Sequence, residues 1–193
     1  MWRFESSPAH MLYTRKGDDG KTKKFGCDQR MSKNSMTAEA LGTLDEVNSF
    51  LGLVKVQSKS VKWKVGGLKV SNIIDWAQNG LFIVQAEVAG AKKTIDQSKV
   101  RKMETWVDAM EKAMPPIKTF FVSGGTEMAA LLDISRTMAR KAERRIVAGE
   151  ECGEIKVSKE TLAFMNRLSS LFYAMARLMN HKSGINEESP SYE

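Results

Sequence analysis

Apolar residues recur at helical spacing along five stretches of the chain, and no alternating strand pattern rivals them. The first stretch runs from about Thr37 to Gln57, with Leu41, Leu44, Val47, Leu51 and Val54 on one stripe. A loop rich in Lys and Gly, Ser58 to Gly67, separates it from a second at about Val70 to Ala89, where Gly90 is a natural stop. The third covers about Gln97 to Met114. It must end before Pro115-Pro116, which lack the backbone N–H and clash with a preceding helical turn. The fourth follows a Gly124-Gly125 turn with Thr126 as its N-cap, and Leu131, Ile134, Met138, Ala142 and Ile146 are expected to supply its core face. The fifth covers about Lys159 to His181, with Phe164, Leu168, Leu171, Phe172, Met175 and Met179 facing inward.

Short connections between long amphipathic helices predict an all-α protein, an antiparallel five-helix bundle over residues 36–182. Residues 1–35 have no such period and read as an irregular N-terminal arm, while the polar residues 183–193 read as a frayed tail. With 193 residues and no internal repeat, the chain is expected to form a single domain, 1–193.

Against this frame the polar positions stand out. Arg136, Arg140 and Arg144 recur at steps of four on the fourth helix, on one narrow stripe with Glu143 beside them. Like charges at that spacing repel by a few tenths of a kcal/mol per pair. The stripe is either a solvated basic face or a seat for something negative. In the arm, Tyr13-Thr14-Arg15-Lys16-Gly17-Asp18-Asp19-Gly20-Lys21-Thr22 combines small residues, hydroxyls and cations that could form an anion-binding nest; the same pattern also serves as a plain turn. On the first helix Asp45 lies at the edge of the apolar stripe and Asn48 within it. A half-buried carboxylate there needs a cation, and a surface carboxylate needs none. Asn166, Tyr173 and Arg177 share the face opposite the Leu168 stripe, as solvent-facing residues commonly do. Phe120-Phe121, before the Gly-Gly turn, has the pattern of a core plug.

Composition narrows the field only slightly. An apolar fraction of 42% and a charged fraction of 27% are those of a soluble protein, and the net charge of +7 favours anionic partners without naming one. Cys27 and Cys152 are too few and too far apart for a disulfide framework, which points to a reducing compartment. With only His10 and His181 added, no zinc-ligand spacing is recognisable. No apolar run reaches the roughly 18 residues of a membrane span, and the N-terminus has no apolar secretory core. The expectation is a cytoplasmic protein that does not enter the membrane.

The fourth helix resembles the signature helix of the PduO-type ATP:cob(I)alamin adenosyltransferases, where a Gly-Gly turn leads into Ala-Arg-Thr and then Arg-Arg-Ala-Glu-Arg. The corresponding residues are Ser135-Arg136-Thr137 and Arg140-Lys141-Ala142-Glu143-Arg144. Three further blocks match in the family's order: the arm, Gly42-Thr43-Leu44-Asp45-Glu46-Val47-Asn48 through Gly52, and Asn166-Arg167-Leu168-Ser169. The resemblance implies that Thr14, Arg15, Lys16, Gly17, Thr22, Lys23 and Lys33 line the phosphates of ATP, joined by Arg140, Lys141 and Arg144. It gives Asn166 and Glu143 to the nucleotide, pairs Asp45 with Arg136 across a subunit boundary, and sets Phe120 under the corrin, where it displaces the lower axial ligand of cobalt. Ser123 stands where the family has Pro and is expected to loosen the turn; Asp133 stands for His and Ser170 for Asp.

The activity so implied is transfer of the 5′-deoxyadenosyl group of ATP to cob(I)alamin, with Mg²⁺ on the leaving triphosphate. Cobalt is itself the nucleophile, so the absence of a nucleophile–His–carboxylate set fits the chemistry. The family also implies a homotrimer with sites between subunits, a cob(II)alamin reductase as supplier and an adenosylcobalamin-dependent enzyme as consumer. Two other readings compete: a non-catalytic cobalamin carrier on the same bundle, and a basic helical nucleic-acid-binding module. The latter has few aromatics off the apolar faces for base stacking.

Overall fold

The computed structural model describes residues 13, 15–23 and 28–193. His10, Thr14, Gly26 and Cys27 lie outside them. Among the described residues the helices are α1 (Met36–Gln57), α2 (Val70–Val88), α3 (Gln97–Glu111), α4 (Glu127–Glu151) and α5 (Lys159–Lys182). Two short antiparallel hairpins accompany them: β1 (Lys21–Lys23) with β2 (Arg30–Ser32), and β3 (Lys64–Val65) with β4 (Leu68–Lys69). The fold is all-α, as expected. The hairpins escape sequence reading because strands of two or three residues are too short to display a period of two.

Local chemistry fixes the helix starts. Ser35, Thr126 and Ser158 each accept a hydrogen bond from the amide three residues on, those of Ala38, Ala129 and Thr161, and Asp96 accepts from Ser98 N at 2.7 Å. Each such cap satisfies one orphan N–H and is worth about 1 kcal/mol. The buried Glu87, near the end of α2, accepts from Ser158 N at 2.7 Å and from the Thr161 hydroxyl, tying α2 to the start of α5. α3 ends at Glu111, three residues short of Met114, with a turn leading to the two prolines.

α4 packs against both α1 and α5, while α3 covers α5 and α2 covers α1. Of the face expected to be buried along α4, Ala142 and Ile146 are buried, and the rest is displaced. Leu132, Ser135, Ala139, Ala142 and Ile146 form its buried seam, whereas Ile134 is 46% exposed and Leu131 and Met138 are only partly buried. A helix squeezed between two others is packed most closely through small side chains, so the seam runs through Ser and Ala. The bulkier stripe is turned about 100° away.

The rest of the core is aliphatic and aromatic, centred on Leu44, Leu51, Ile73, Leu81, Phe164 and Phe172. Trp76 packs edge-on to Trp106 with centroids 4.8 Å apart and lies 5.7 Å from Phe164. Phe164 lies over Gly80 on α2, and a Cβ there would run into its ring. Gly80→Ala is therefore expected to destabilise the fold by about 1–3 kcal/mol in urea unfolding, and adding Phe164→Leu should recover part of the loss.

Candidate active site

The arginine stripe lies on the flank of α4 next to its buried seam. Arg136 is half-buried and its Nε donates to Asp133 Oδ1 at 3.4 Å. Arg140 and Arg144 are exposed, and neither has a hydrogen bond or ion pair among the described residues. The neighbouring cations on the other flank are matched. Lys141 pairs with Glu46 at 3.0 Å and Arg145 with Glu39 at 3.2 Å, both across to α1. The surplus of positive charge on this helix is thus concentrated at two positions one turn apart.

Around the stripe a polar chain joins three helices. Asn166 Nδ2 on α5 donates to Glu143 Oε1 on α4 at 2.9 Å. Its Oδ1 accepts from Arg167 Nη1 at 2.8 Å, and Arg167 Nε donates to Glu104 on α3 at 3.1 Å. The amide is thereby held in one orientation. Beside it a cleft of about 310 Å³ opens between α3, α4 and α5, lined by Arg136 and Arg140 with Val107, Glu111, Ser170 and Tyr173. Burial raises the Tyr173 hydroxyl above its ordinary range, so this phenol stays neutral and can serve as a hydrogen-bond donor.

The N-terminal arm folds as a turn closed by the β1–β2 hairpin, in which Thr22 lies opposite Met31. Lys33 donates its backbone N–H to Gly20 O at 2.9 Å and its ammonium to Gly17 O at 2.8 Å. A Cβ at Gly17 would approach Lys33 Nζ to 3.1 Å, so the glycine makes room for this cation. Arg15 holds a left-handed backbone, φ 58°, in the same turn. Lys23 pairs with Asp28. The organiser is Arg30, which sequence reading did not single out. Its guanidinium grips Asp19 through both oxygens at 2.7 and 2.8 Å and also reaches the carbonyls of Lys16 and Lys21. No local signal marks it, because Asp19 is an exposed carboxylate and its partner lies 11 residues on, across the hairpin.

Several expectations are decided here or require correction. Asp45 is an exposed carboxylate on α1, the surface alternative, while Glu39 and Glu46 pair with cations of α4. Asn48, by contrast, is buried within the stripe as expected, and its Oδ1 has no partner. Phe120 is no core plug: it is 78% exposed, on a loop between the two prolines and the Gly-Gly turn. Arg177 does not face solvent. It is buried against Asp133 of α4 and Glu187 of the tail, and the tail is pinned, with Glu188 O accepting from Val122 N at 2.9 Å. The turn after Ser123 is likewise held, by Asn180 of α5, which bonds Gly124 O and Thr126 N.

Within one chain, then, the arm and Asp45 are not joined to Arg140 or Arg144 by any bond among the described residues. Two groups of candidate binding residues result: a Gly-rich turn of cations, and a pair of bare arginines flanked by an oriented amide. Residues 12–179 match the family model of cobalamin adenosyltransferases. The chain belongs to this family. It is 36% identical over 180 residues to the corrinoid adenosyltransferase of Bacillus subtilis (strain 168), covering 91% of this chain and 90% of that protein. It is 34% identical over 170 residues to the corrinoid adenosyltransferase PduO of Citrobacter freundii, covering 88% of this chain and 50% of that protein. Its fold superposes with a TM-score of 0.82, at 29% identity, on a variant PduO-type ATP:corrinoid adenosyltransferase from Lactobacillus reuteri solved with cobalamin and ATP. The match covers 94% of this chain and 97% of that one.

Within the arm of this adenosyltransferase-family chain, the Arg30 guanidinium beside Asp19, helped by the Lys21 amide, holds the Asp19 carboxyl below the usual carboxylate range. A depressed folded-state value means that the contact is present above the ordinary value of about 3.9 and is lost as pH falls through the lowered one. In Arg30→Ala the Asp19 carboxyl, followed by NMR, should titrate back toward about 3.9.

Proposed function

We propose that this protein transfers the 5′-deoxyadenosyl group of ATP to cob(I)alamin, giving adenosylcobalamin and triphosphate. The observation that carries the reading is the pair Arg140 and Arg144, unpartnered among the described residues, beside the Glu143–Asn166 hydrogen bond in a chain of this family. In the reaction cobalt attacks C5′ of ATP, the C5′–O bond breaks, and the electron pair leaves with triphosphate. No proton acceptor is needed. The protein's work is alignment and neutralisation of the leaving charge, each capable of removing several kcal/mol from the barrier.

In this reading Arg15, Lys16, Gly17, Thr22, Lys23 and Lys33, with Thr14, wrap the triphosphate, and Arg140, Lys141 and Arg144 face it from α4. Lys141 would have to exchange Glu46 for phosphate. Asn166, oriented by Glu143, recognises the adenosine. Phe120, exposed and ready to be covered by a ligand, lies beneath the corrin and removes the lower axial ligand. In the homotrimer of this reading, Asp45 of one subunit meets Arg136 of the next. The described residues contain no cluster of three His, Cys, Asp or Glu side chains, so Mg²⁺ is expected to be bound mainly through the phosphate oxygens.

We read residues 1–193 as one domain, with a cob(II)alamin reductase upstream and an adenosylcobalamin-dependent enzyme downstream. No described helix is long and apolar enough to cross a membrane; the cytoplasmic assignment follows from the sparse cysteines.

The test is anaerobic: the protein is mixed with chemically reduced cob(I)alamin and Mg·ATP, and the absorbance spectrum is followed. Conversion to adenosylcobalamin with triphosphate release is expected. Corrin binding without conversion would identify a carrier, and neither signal would sink the reading altogether. Arg140→Ala and Arg144→Ala should each lower kcat/KM for ATP by roughly 10²–10³-fold, the usual effect of removing one donor to developing charge. A double-mutant cycle of Asp45→Asn and Arg136→Ala should show non-additive losses; additive effects would exclude their pairing.

A further inference from the structure

From Arg136, at the cleft, runs a row of charges whose other members are given no phosphate or corrin contact in the reading above. Arg136, Asp133, Arg177 and Glu187 alternate in sign. Asp133 Oδ1 takes Arg136 Nε at 3.4 Å, Asp133 Oδ2 takes Arg177 Nη2, and Arg177 Nη1 pairs with Glu187 Oε1 at 2.7 Å. The side chains of Asp133 and Arg177 are 5% and 2% exposed, and that of Glu187 13%. A buried ion row is weak evidence for stability, because apolar side chains of the same volume often serve as well; its use lies in fixing one arrangement over others.

What it fixes is the loop that carries Phe120. Glu187 Oε1 also accepts from Asn180 Nδ2 at 2.7 Å, and the same Nδ2 donates to Gly124 O at 2.8 Å. Asn180 Oδ1 accepts from Thr126 N at 3.0 Å and from its hydroxyl at 3.2 Å, so one amide bridges the Gly-Gly turn. Gly125 has φ 90°, and a Cβ there would lie 2.5 Å from Asn180 Oδ1, so the turn admits only glycine. The neighbouring tail residue Glu188 accepts from Val122 N. Phe121 completes the contact, its ring centroid 5.9 Å from the Arg177 guanidinium, with Tyr173 at 5.2 Å. Phe120 itself, 78% exposed, is held by no packing of its own. Its place is set by the prolines before it and by this assembly after it.

We propose that Asp133, Arg177 and Glu187 form a buried clamp that positions the Phe120 loop relative to Arg136, and that Glu187 of the C-terminal tail is thereby a positioning residue for adenosyl transfer. The proposal rests on the adenosyltransferase reading given above. One end of the row is Arg136, on the nucleotide stripe; the other is the turn behind the corrin-side phenylalanine. A shift of either end is transmitted to the other through two buried ion pairs.

Glu187→Gln tests it, since the amide keeps the shape and an oxygen for Asn180 while removing the charge that Arg177 faces. The expected result is a kcat lowered roughly 10- to 100-fold, as misplacement of reacting groups produces, with KM for ATP within about twofold of wild type. The fraction of bound four-coordinate cob(II)alamin should fall in parallel, and amide hydrogen exchange at Val122 and Thr126 should quicken. Glu187→Asp should recover part of each signal. Unchanged kcat and unchanged exchange in Glu187→Gln would overturn the clamp. So would a uniform loss in which KM for ATP, kcat and thermal midpoint decline together, because that marks a merely structural role. Failure of the functional reading is separable: wild type would then form no adenosylcobalamin, while exchange at Val122 and Thr126 would still report on the clamp.

Discussion

The close approach of α4 to α1 and α5 is the constraint from which the rest of this structure follows. It depends on small residues at the contact, Ser135, Ala139 and Ala142, while Gly149 makes room for Ile155 of the loop that follows α4. Because so narrow a seam is enough to bury the helix, most of its circumference is released from core duty. One flank carries Lys141 and Arg145 to carboxylates on α1, and the other presents Arg136 and Arg140 to the cleft. A larger side chain in the seam would push the flanks outward and misalign both at once.

Charge is distributed with the same division of labour. The net charge of +7 says little by itself, since many of the cations are balanced locally. Arg30 is committed to Asp19, Lys23 to Asp28, and Arg167 to Glu104. Arg140 and Arg144 remain without a protein partner among the described residues, on a helix face where each worsens the position of the other. That repulsion is small for exposed groups, and it becomes an asset once a polyanion is bound, because no internal ion pair must first be broken.

The two ends of the site are secured by different means. The described part of the arm is mostly exposed and organised by hydrogen bonds to a guanidinium and to backbone carbonyls. The Phe120 loop is fixed from beneath by buried charge, which tolerates little movement because an unpaired ion in the interior is costly. In the proposed reaction, the arm would meet the phosphates and the Phe120 loop the corrin.

What the sequence determined by itself is the part governed by local rules. The five helices follow from apolar spacing, and their starts at Thr126 and Ser158 from side-chain oxygens that cap the first turn, whereas the two prolines set only an outer limit for α3. The arginine stripe follows from a step of four. The tertiary structure alone decided which of those polar groups are engaged. Ile134 proved exposed because small residues won the contact, and on α1 it is Glu39 and Glu46, not Asp45, that meet the cations of α4. Arg177, which shares a helical face with Asn166, lies buried between Asp133 and Glu187, residues 44 positions before it and 10 after it in the chain. Helical spacing says which residues share a face. Only the packing of one element on another says what that face meets, because burial and pairing depend on partners that no local rule specifies.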